Sequence, residues 1–545
     1  MNKNDIIDLE ITDITTDGFG IGKSDGKAVF VPFSAVGDFL RVLIVKVKKN
    51  YCYGKTVEIL KPSKSRISDK CNAFGRCGGC ALRHINYAEE LRIKRKFVES
   101  NINRIGGYNG FSPNPTVGLR DRFDRYRNKA QYPVTYEDGR LKIGFYSPRS
   151  HRVTECDDCL LEPEIFGKIV SLIKKFLIEF KISIYNEKTH KGLVRHIYLR
   201  RAEATGEIMV VLVINGKNLP YADVLTDELK KMLGDEMKSF QININTDKTN
   251  VVLGKKCVTV YGRDYIIDNL CGVSVRISPL SFYQVNRSMA ELLYEKVGEY
   301  AYGKSNTVLD LYCGAGTIGL SLAKKVKKVI GVEVVTEAVQ DAEYNKKINN
   351  INNAEFICAD AADAAEKLEN RGIKPDIVVL DPPRKGCEEK LLLTVANGFK
   401  PQKIIYVSCD SATFSRDCKV LREYGYELTE LTPFDLFPRT YHTETVVQLV
   451  RKKPDTYIDI TVDMDELDLT SSEAKATYDE IKDYIFDKHC VKVSSLYIAQ
   501  VKQKHGIIER DCYNNSKKES PKQHQCPPEK VTLIEEALRH FKMIP

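Results

Sequence analysis

An alternation of short apolar runs and helical stretches between residues 274 and 451 constrains the fold more than any other feature of this chain. Five runs are candidates for buried strands: 308–312, 328–333, 354–358, 376–380 and 403–408. Such alternation predicts an α/β fold, with a mostly parallel sheet covered by helices on both faces. Residues 443–451 read as a late strand that could join the sheet as an antiparallel edge or as a hairpin.

Regions with other patterns flank this segment. The first sixty residues contain short strands separated by glycine turns, which predicts a small OB-like β-barrel. The pattern up to about residue 270 is mixed and predicts an α+β domain, and the last seventy residues read as helical. Their spacing fits either a helix-turn-helix or a plain helical cap. The predicted segments are a barrel over 1–62, a central domain over 63–273, the α/β domain over 274–453, an acidic linker over 454–473 and a helical extension over 474–545.

Composition excludes several other classes of protein. Hydrophobic residues make up 43% of the 545 positions, which excludes a wholly disordered chain. No run approaches the ~20 apolar residues of a membrane span, and the first residues lack the basic and apolar regions of a signal peptide. We therefore expect a cytoplasmic protein without membrane contact. Its 16 cysteines are expected to be reduced, as core residues, metal ligands or nucleophiles.

A glycine-rich loop at the first strand of the α/β region predicts a nucleotide-like ligand. The segment Asp310-Leu-Tyr-Cys-Gly-Ala-Gly316 follows a strand and opens a helix, so its glycines allow a tight turn and close approach of a ligand. Glu333 ends the next strand, 19 residues after Gly314, where a carboxylate can accept two ribose hydroxyls. This pattern alone is compatible with either NAD or S-adenosylmethionine.

Three later motifs add chemistry at strand ends. Asp381 ends the fourth strand within Asp-Pro-Pro-Arg384, a motif that nicotinamide enzymes do not need and methyltransferases often carry. An aromatic residue at the position of Arg384 would be typical of amino-group methylation, so the arginine argues against it. Cys409 follows the fifth strand and is suited to nucleophilic attack, especially if a cation or a helix N-terminus favours the thiolate. His442 and Glu444 precede the last strand, and either could be a general base.

A second set of cysteines has the spacing of a metal site. Cys71, Cys77 and Cys80 lie close in sequence, and Cys159 follows far downstream. Four thiolates can bind zinc, which is the commoner metal at four-cysteine sites, or a [4Fe–4S] cluster. Cys156 lies near Cys159 and makes the fourth ligand ambiguous.

Two basic stretches are candidates for RNA phosphate contacts. One is the predicted helix around residues 92–96, whose cations, Lys94 among them, are expected to be largely exposed, and the other is 120–129. Phe123 and Tyr126 are available there to stack on bases. Solvated surface is the alternative for each stretch.

Taken together, these motifs resemble the RNA uracil-5-methyltransferase family. The resemblance covers about residues 5–452 and rests on Phe-Tyr-Gln284-Val-Asn286, the glycine-rich loop, Asp381-Pro-Pro-Arg, Val-Ser-Cys409 and the closing Phe-Pro-x-Thr-x-His-x-Glu444. It implies a Rossmann-like methyltransferase domain, and the front end resembles the TRAM domain, a small RNA-binding barrel. The barrel followed by four cysteines resembles the iron–sulfur 23S ribosomal RNA branch more than the transfer-RNA branch.

The resemblance also implies roles for particular residues. Cys409 would add to carbon 6 of uracil, and Glu444 would remove the proton on carbon 5. The cofactor residues implied are Gln284, Tyr312, Glu333, Asp360 and Asp381, with Asp360 near the adenine and Asp381 at the cofactor or substrate edge. The [4Fe–4S] cluster would be held by Cys71, Cys77, Cys80 and Cys159, with zinc as the lesser alternative.

Three other functions are alternatives to this one. A non-catalytic RNA-binding factor for ribosome assembly would have no need of both Cys409 and Glu444. A nicotinamide oxidoreductase with an iron–sulfur centre is disfavoured by Asp381-Pro-Pro-Arg. A transfer-RNA uridine methyltransferase stays an alternative, and the sequence leaves the modified uridine and the oligomeric state open.

Overall fold

The computed structural model describes residues 1–119, 121–452, 476–489, 491–507 and 526–544, without the side chains of residues 304 and 305. The chain divides into two compact units, residues 1–453 and 454–545. The acidic linker predicted over 454–473 lies outside the described residues, as does residue 120 of the second basic stretch.

The N-terminal region forms a six-stranded sheet of the kind predicted for a small barrel. Its strands are β1 (Ile6–Glu10), β2 (Asp13–Ile14), β3 (Phe19–Ser24), β4 (Lys27–Pro32), β5 (Phe39–Val47) and β6 (Tyr51–Lys61). Their spatial order is β1-β5-β6-β4-β3-β2. Alternate residues of β5, namely Leu40, Val42 and Ile44, are fully buried because only one face of the sheet covers the core.

The central region is a second sheet packed between helices and the α/β domain. After α1 (Tyr87–Arg104), its elements are β7 (Lys129–Glu137), β8 (Arg140–Tyr146), β9 (Val153–Glu155), α2 (Glu164–Glu179), β10 (Val194–Arg201), β11 (Ile208–Ile214), α3 (Ala222–Leu233), β12 (Met237–Ile244) and β13 (Lys256–Gly262). The strand order is β13-β12-β11-β10-β7-β8-β9. Every residue of β11 is buried, since Val210 packs with the helices and Val211 packs towards the α/β domain.

The α/β sheet predicted for residues 274–451 is confirmed. After the hairpin β14 (Ile266–Leu270) and β15 (Val273–Ile277), the elements are α4 (Arg287–Ala301), β16 (Gly303–Leu311), α5 (Thr317–Leu322), β17 (Val326–Glu333), α6 (Thr336–Ile348), β18 (Ala354–Cys358), α7 (Ala361–Asn370), β19 (Ile377–Leu380), α8 (Glu389–Leu393), β20 (Lys403–Ser408), α9 (Ser411–Glu423), β21 (Tyr426–Phe434) and β22 (Glu444–Arg451). The order is β18-β17-β16-β19-β20-β22-β21, and β16 to β20 are parallel. This order reverses at β16, where such sheets bind ligands.

The last strand lies inside the sheet rather than at its edge. β22 pairs antiparallel with both β20 and β21, so the strand predicted as an edge or hairpin is an inner hairpin strand, and β21 is the edge. The sequence pattern did not reveal β21. The place of β21 at the edge of the sheet depends on its pairing with β22, and the local sequence pattern does not specify that pairing.

The C-terminal unit contains three described helices. They are α10 (Tyr478–His489), α11 (Ser495–Lys504) and α12 (Pro528–His540). Ile485, Ile498 and Ile534, one from each helix, are fully buried in a common core, as the predicted helical extension requires. Within the described residues, no helix combines the length and apolar character that crossing a membrane demands.

Candidate active site

Two acids occupy the carboxyl ends of the parallel strands, where open α/β sheets bind ligands. Asp310 lies next to the end of β16, and Glu333 is the last residue of β17. The amides of Gly314 and Val335 donate to the two Glu333 carboxylate oxygens at 3.1 and 2.9 Å. These bonds hold the carboxylate in place, and each oxygen keeps a lone pair for a ligand hydroxyl.

The glycine-rich loop has open space at Gly314, and one oxygen of Asp310, nearby in sequence, lacks a hydrogen-bond partner. The amide of Gly319 donates to one Asp310 oxygen at 3.0 Å, whereas the other oxygen is buried without a hydrogen-bond partner. A Cβ at Gly314 would meet open space, but one at Gly316 would lie 2.7 Å from the Phe356 ring. An amino group, as S-adenosylmethionine has, is the kind of donor that this unpartnered Asp310 oxygen lacks.

Two more of the residues expected at the cofactor, Asp360 and Tyr312, follow the ends of parallel strands β18 and β16. Asp360 caps α7, and one of its oxygens accepts from the amides of Ala362 and Asp363. Tyr312 directly follows β16 in the left-handed region, at φ 68°. Gln284 lies in the loop before α4 and is half-buried.

Adjacent antiparallel strands bring Cys409 and Glu444 together. Ser408 of β20 lies opposite Thr445 of β22, so Cys409 and Glu444 are the next positions outward. Cys409 lines a cavity of about 340 Å³ with Arg384. Glu444 is only 7% exposed. The predicted nucleophile and base therefore lie at neighbouring strand ends.

Burial dominates the protonation of these groups. It raises the pKa of Glu444 to about 8, with a further rise from Asp381 and an opposing effect from Arg384. Burial also raises the pKa of Asp381 to about 7. The pKa of the Cys409 thiol rises to about 11, first through burial and then through Glu444, although Arg384 lowers it. The cation expected beside Cys409 is thus present, but burial outweighs it and keeps the free thiol protonated.

His442, the other candidate base, lines the Cys409 cavity. Burial and the neighbouring Arg384 lower its pKa to about 4, so its ring is neutral near pH 7. The ring centroid lies 4.4 Å from that of Tyr441 and 5.9 Å from that of Phe437. His442 therefore forms an uncharged but polar part of the cavity wall, and its unprotonated ring nitrogen can accept a proton.

The barrel contributes two residues to this cavity, which the sequence did not predict. Thr16 and Asp17, in the turn between β2 and β3, line it together with Cys409. The next residue, Gly18, packs so closely that an added Cβ would lie 3.1 Å from the Ala81 Cβ. The Thr-Asp-Gly sequence signals a turn, but nothing in it signals the distant surface that the turn meets.

The cysteines of the central region line a separate cavity of about 240 Å³. These are the four predicted ligands and the alternative ligand: Cys71, Cys77, Cys80, Cys156 and Cys159. Burial raises the pKa of Cys77 to about 11, and neighbouring thiols raise it further, while the Gly79 amide donates to its sulfur at 3.3 Å and lowers it. Among the described residues, no group of three or more His, Cys, Asp or Glu side chains is arranged to hold a metal ion. The thiols surround a space without meeting at a point.

The structure corrects the predicted exposure of one residue in each basic stretch, Lys94 and Tyr126. Lys94 is fully buried and bonds Asp435 at 2.6 Å, because α1 is covered on more than one side. Tyr126 is also buried, and its hydroxyl donates to the Pro438 carbonyl at 3.1 Å. Phe123 lies under the Arg439 guanidinium, 4.3 Å from its ring centroid. Lys94 and Tyr126 are therefore part of the protein interior. Phe123 is half-buried and lines a groove with Arg122, and Arg92 and Lys96 of the first stretch are exposed as predicted.

Cations at the edge of the second stretch remain accessible. Arg122 and Arg125 line a groove of about 630 Å³. Each is paired with an acid, Arg122 with Glu203 and Arg125 with Asp158. An RNA phosphate would compete with these partly exposed pairs at modest cost.

Sequence comparisons agree with this geometry. The family model described as tRNA (uracil-5-)-methyltransferase matches residues 87–452, and the TRAM domain model matches residues 2–57. An uncharacterized RNA methyltransferase of Clostridium tetani is 44% identical over 448 residues, covering 82% of this chain and 96% of that protein. Another, of Halalkalibacterium halodurans, is 41% identical over 453 residues, covering 83% of this chain and 98% of that protein.

A solved structure matches most of the larger unit. The Pyrococcus abyssi tRNA (uracil-54, C5)-methyltransferase, in complex with S-adenosyl-L-homocysteine, is 30% identical with a TM-score of 0.65, covering 81% of this chain and 99% of that one. The nicotinamide oxidoreductase interpretation is therefore wrong. The glycine-rich loop is held against Glu333 at the ligand edge of the sheet, and the family model matches residues 87–452. The chain therefore belongs to the S-adenosylmethionine-dependent RNA uracil-5-methyltransferases and carries a TRAM domain at residues 2–57.

Proposed function

We propose that this chain methylates carbon 5 of a uridine in 23S ribosomal RNA through a transient bond between Cys409 and carbon 6. One observation carries the proposal: Cys409 and Glu444 lie at adjacent strand ends, close enough to Asp381 and Arg384 for their charges to act on both. The reaction needs a nucleophile and a base that reach the same ring. A non-catalytic assembly factor would need neither group.

The first step is attack of the Cys409 sulfur on carbon 6 of uracil. The sulfur forms the new bond, and the electron pair of the C5–C6 double bond moves towards the C4 carbonyl as an enolate. The thiol proton passes to solvent beforehand, since Cys409 is only partly buried. The Arg384 guanidinium, which lowers the pKa of this thiol, stabilises the resulting thiolate. The target base leaves its stack to reach the sulfur.

The cofactor residues would hold S-adenosylmethionine at the neighbouring strand ends. When bound, it supplies a methyl group on a positively charged sulfur. Glu333 would accept the two ribose hydroxyls, because backbone amides already fix its carboxylate. Asp360 would meet the adenine, and Gln284 and Tyr312 would line the same groove. Asp381 would stand at the boundary between this groove and the uracil.

Glu444 would complete the reaction as the base. Its carboxylate takes the proton from the methylated carbon 5, the C–H electron pair restores the C5–C6 double bond, and the Cys409 sulfur leaves as a thiolate. A pKa of about 8 makes the Glu444 carboxylate a stronger base than an ordinary one, and the ionised fraction, which grows as the pH rises towards 8, is the form that accepts the proton.

The barrel offers a surface on which RNA bases can stack. Four partly exposed rings cluster there, with centroid separations of 5.5 Å for Phe30–Tyr51, 5.7 Å for Tyr51–Tyr53, 5.8 Å for Phe30–Tyr53 and 6.2 Å for Phe19–Tyr53. The Arg149 guanidinium lies 5.8 Å from the Phe19 ring centroid. Aromatic rings beside a cation bind single-stranded RNA with little dependence on sequence.

The choice of 23S ribosomal RNA rests on the barrel and the cysteine set, which resemble that branch of the family. Transfer RNA is the second candidate, because the Pyrococcus abyssi enzyme is a tRNA (uracil-54, C5)-methyltransferase and 99% of its chain is covered. The two RNA substrates would contact different surfaces of the protein outside the active site, but both would react with Cys409 in the same way.

One experiment tests both the chemistry and the substrate. Purified protein and S-adenosylmethionine are mixed with 5-fluorouridine fragments of 23S ribosomal RNA or with 5-fluorouridine transfer RNA, and run on a denaturing gel. We expect a covalent adduct with a ribosomal fragment, because fluorine at carbon 5 cannot leave as a proton. An adduct only with transfer RNA would reassign the substrate. Absence of both adduct and methyl transfer would favour the non-catalytic alternative.

We also propose that the cysteine cavity binds a [4Fe–4S] cluster through Cys71, Cys77, Cys80 and Cys159. Thiols that surround a space suit a cluster, which is larger than a zinc ion. Its role would be to hold this part of the chain in shape.

Iron analysis after anaerobic purification checks this assignment. We expect a brown protein with about four irons per chain and loss of that iron in Cys77→Ser. Cys257→Ser, a change of another half-buried cysteine of the central region, is the matched control and should keep the iron. Comparing Cys156→Ser with Cys159→Ser identifies the fourth ligand. Zinc without iron would overturn the cluster assignment.

A further inference from the structure

A loop of the α/β domain, here called the catalytic loop and defined as residues 435–443, is held by several segments that are distant in sequence. It joins Phe434 of β21 to Glu444 of β22, which face each other in the strand pair. Four successive carbonyls of the loop each accept a hydrogen bond from elsewhere: Leu436 from Asn286 at 3.1 Å, Phe437 from Lys94 at 3.2 Å, Pro438 from Tyr126 at 3.1 Å and Arg439 from the amides of Ala81 and Leu82 at 2.9 and 3.0 Å.

Lys94 and Glu90 of α1 form the charged centre of these contacts. The Lys94 ammonium bonds Glu90 at 2.9 Å and Asp435 at 2.6 Å, and all three side chains are fully buried. Glu90 in turn accepts from the Arg439 amide at 2.6 Å and lies 3.4 Å from its guanidinium. Buried charges of this kind are costly unless each is paired, so the network tolerates little displacement of the loop.

The backbone of the loop is strained at the residue that Glu90 holds. Arg439 has φ 70°, in the left-handed region that side chains other than glycine rarely adopt. Its guanidinium also donates to the Ile85 carbonyl at 3.0 Å and is only 3% exposed. Such a conformation persists where the surroundings impose it, and it is often found at functional sites.

Cys409 is held mainly by segments outside this loop, although Tyr441, His442 and Thr443 of the loop line its cavity. It follows β20 and immediately precedes Asp410, whose side chain accepts from the amides of Ala412 and Thr413 as the N-cap of α9. A shift of the catalytic loop would therefore move Glu444 more than it moves the sulfur. The two steps assigned to these residues would respond differently to such a shift.

We propose that Lys94 and Glu90 are positioning residues, which hold the catalytic loop so that Glu444 reaches the carbon-5 proton of the Cys409 adduct. This inference rests on the proposed function, since it assigns the network to the elimination step. The cysteine region also contacts the catalytic loop. Ala81 and Leu82, which directly follow Cys80, donate their backbone amides to the Arg439 carbonyl.

The variant Lys94→Met tests the proposal. With ordinary uridine RNA, we expect methylated adduct to accumulate on a denaturing gel, as for a protein without its base. Turnover should fall on the order of a hundredfold, the effect of displacing a catalytic group by about an ångström, while methyl transfer in a single turnover stays near wild type. The matched control is Lys142→Met, which also removes a nearly buried lysine between two acids, at 2.5 and 3.1 Å.

A second variant covers the case in which Lys94→Met does not fold. The double variant Lys94→Met/Asp435→Asn removes one charge of each sign and leaves the Glu90–Arg439 pair intact. It should fold and accumulate the same adduct. If either folded variant loses methyl transfer and turnover equally, without accumulating adduct, the network is only structural and the proposal is wrong. If the wild type forms no adduct with 5-fluorouridine RNA, the proposed function fails instead.

Discussion

Replacing Cys409 by serine is expected to lower methyl transfer on the order of 10⁴-fold or more and to abolish the adduct with 5-fluorouridine RNA. Serine preserves the size of the side chain, but its hydroxyl is a far weaker nucleophile than a thiolate. The neighbouring groups cannot ionise a serine hydroxyl to a useful extent, because the pKa values of Glu444, Asp381 and His442, about 8, 7 and 4, lie far below that of an alcohol. Transfer of a labelled methyl group to RNA measures the loss.

Two further measurements make this result specific to the sulfur. Cys257→Ser changes a half-buried cysteine outside the Cys409 cavity and should keep wild-type turnover. In the wild type, the rate of adduct formation should rise between pH 6 and 8, because the thiolate is the reactive form and the thiol pKa is about 11. The rise should be less than tenfold per pH unit, because Glu444 and Asp381 ionise in the same range and raise the thiol pKa. Undiminished turnover in Cys409→Ser would rule out the covalent route.

Replacing Glu444 by glutamine is expected to stop the reaction after the methyl group has been transferred. The amide cannot take the carbon-5 proton, so the Cys409–uracil bond cannot break by elimination. Turnover should fall roughly 10²- to 10⁴-fold, the usual contribution of a general base. Methylated RNA should remain attached to the protein on a denaturing gel, even with ordinary uridine.

The control for this variant is Glu430→Gln, a change in β21 at a residue that bonds Tyr300 and lies outside the Cys409 cavity. It should release methylated RNA at the wild-type rate. Free product formed at an undiminished rate by Glu444→Gln would exclude Glu444 as the base and leave His442, which has a neutral ring in the same cavity, as the candidate.

The strand-end residues were predictable from sequence because the fold itself brings them together. Once the apolar runs are recognised as parallel strands, the residues after them share one edge, and Glu333, Asp381 and Cys409 follow from that rule. The same rule does not predict that Glu444 lies beside Cys409, because Glu444 begins the antiparallel strand β22, which pairs with β20. Family motifs supplied the pairing that periodicity alone left open.

The sequence-based predictions are wrong where a helix packs against more than one part of the structure. α1 buries Val98 and Ile102 in the core of the α/β domain and Ile93 and Phe97 in a second core with barrel residues. A helix covered on two sides places even Lys94 in the interior, although its charge is typical of an exposed face. Long-range contacts of this kind have no local pattern in the sequence.

The position of β22 has a consequence for how this protein is made on the ribosome. β22 is the last strand of the larger unit, yet it fills the place between β20 and β21. Until residues 444–451 have been synthesised, one edge of β20 lacks its hydrogen-bonding neighbour. Nascent chains that stall before this point would carry an exposed strand next to an incomplete reaction centre, and would be prone to aggregation rather than to premature RNA modification.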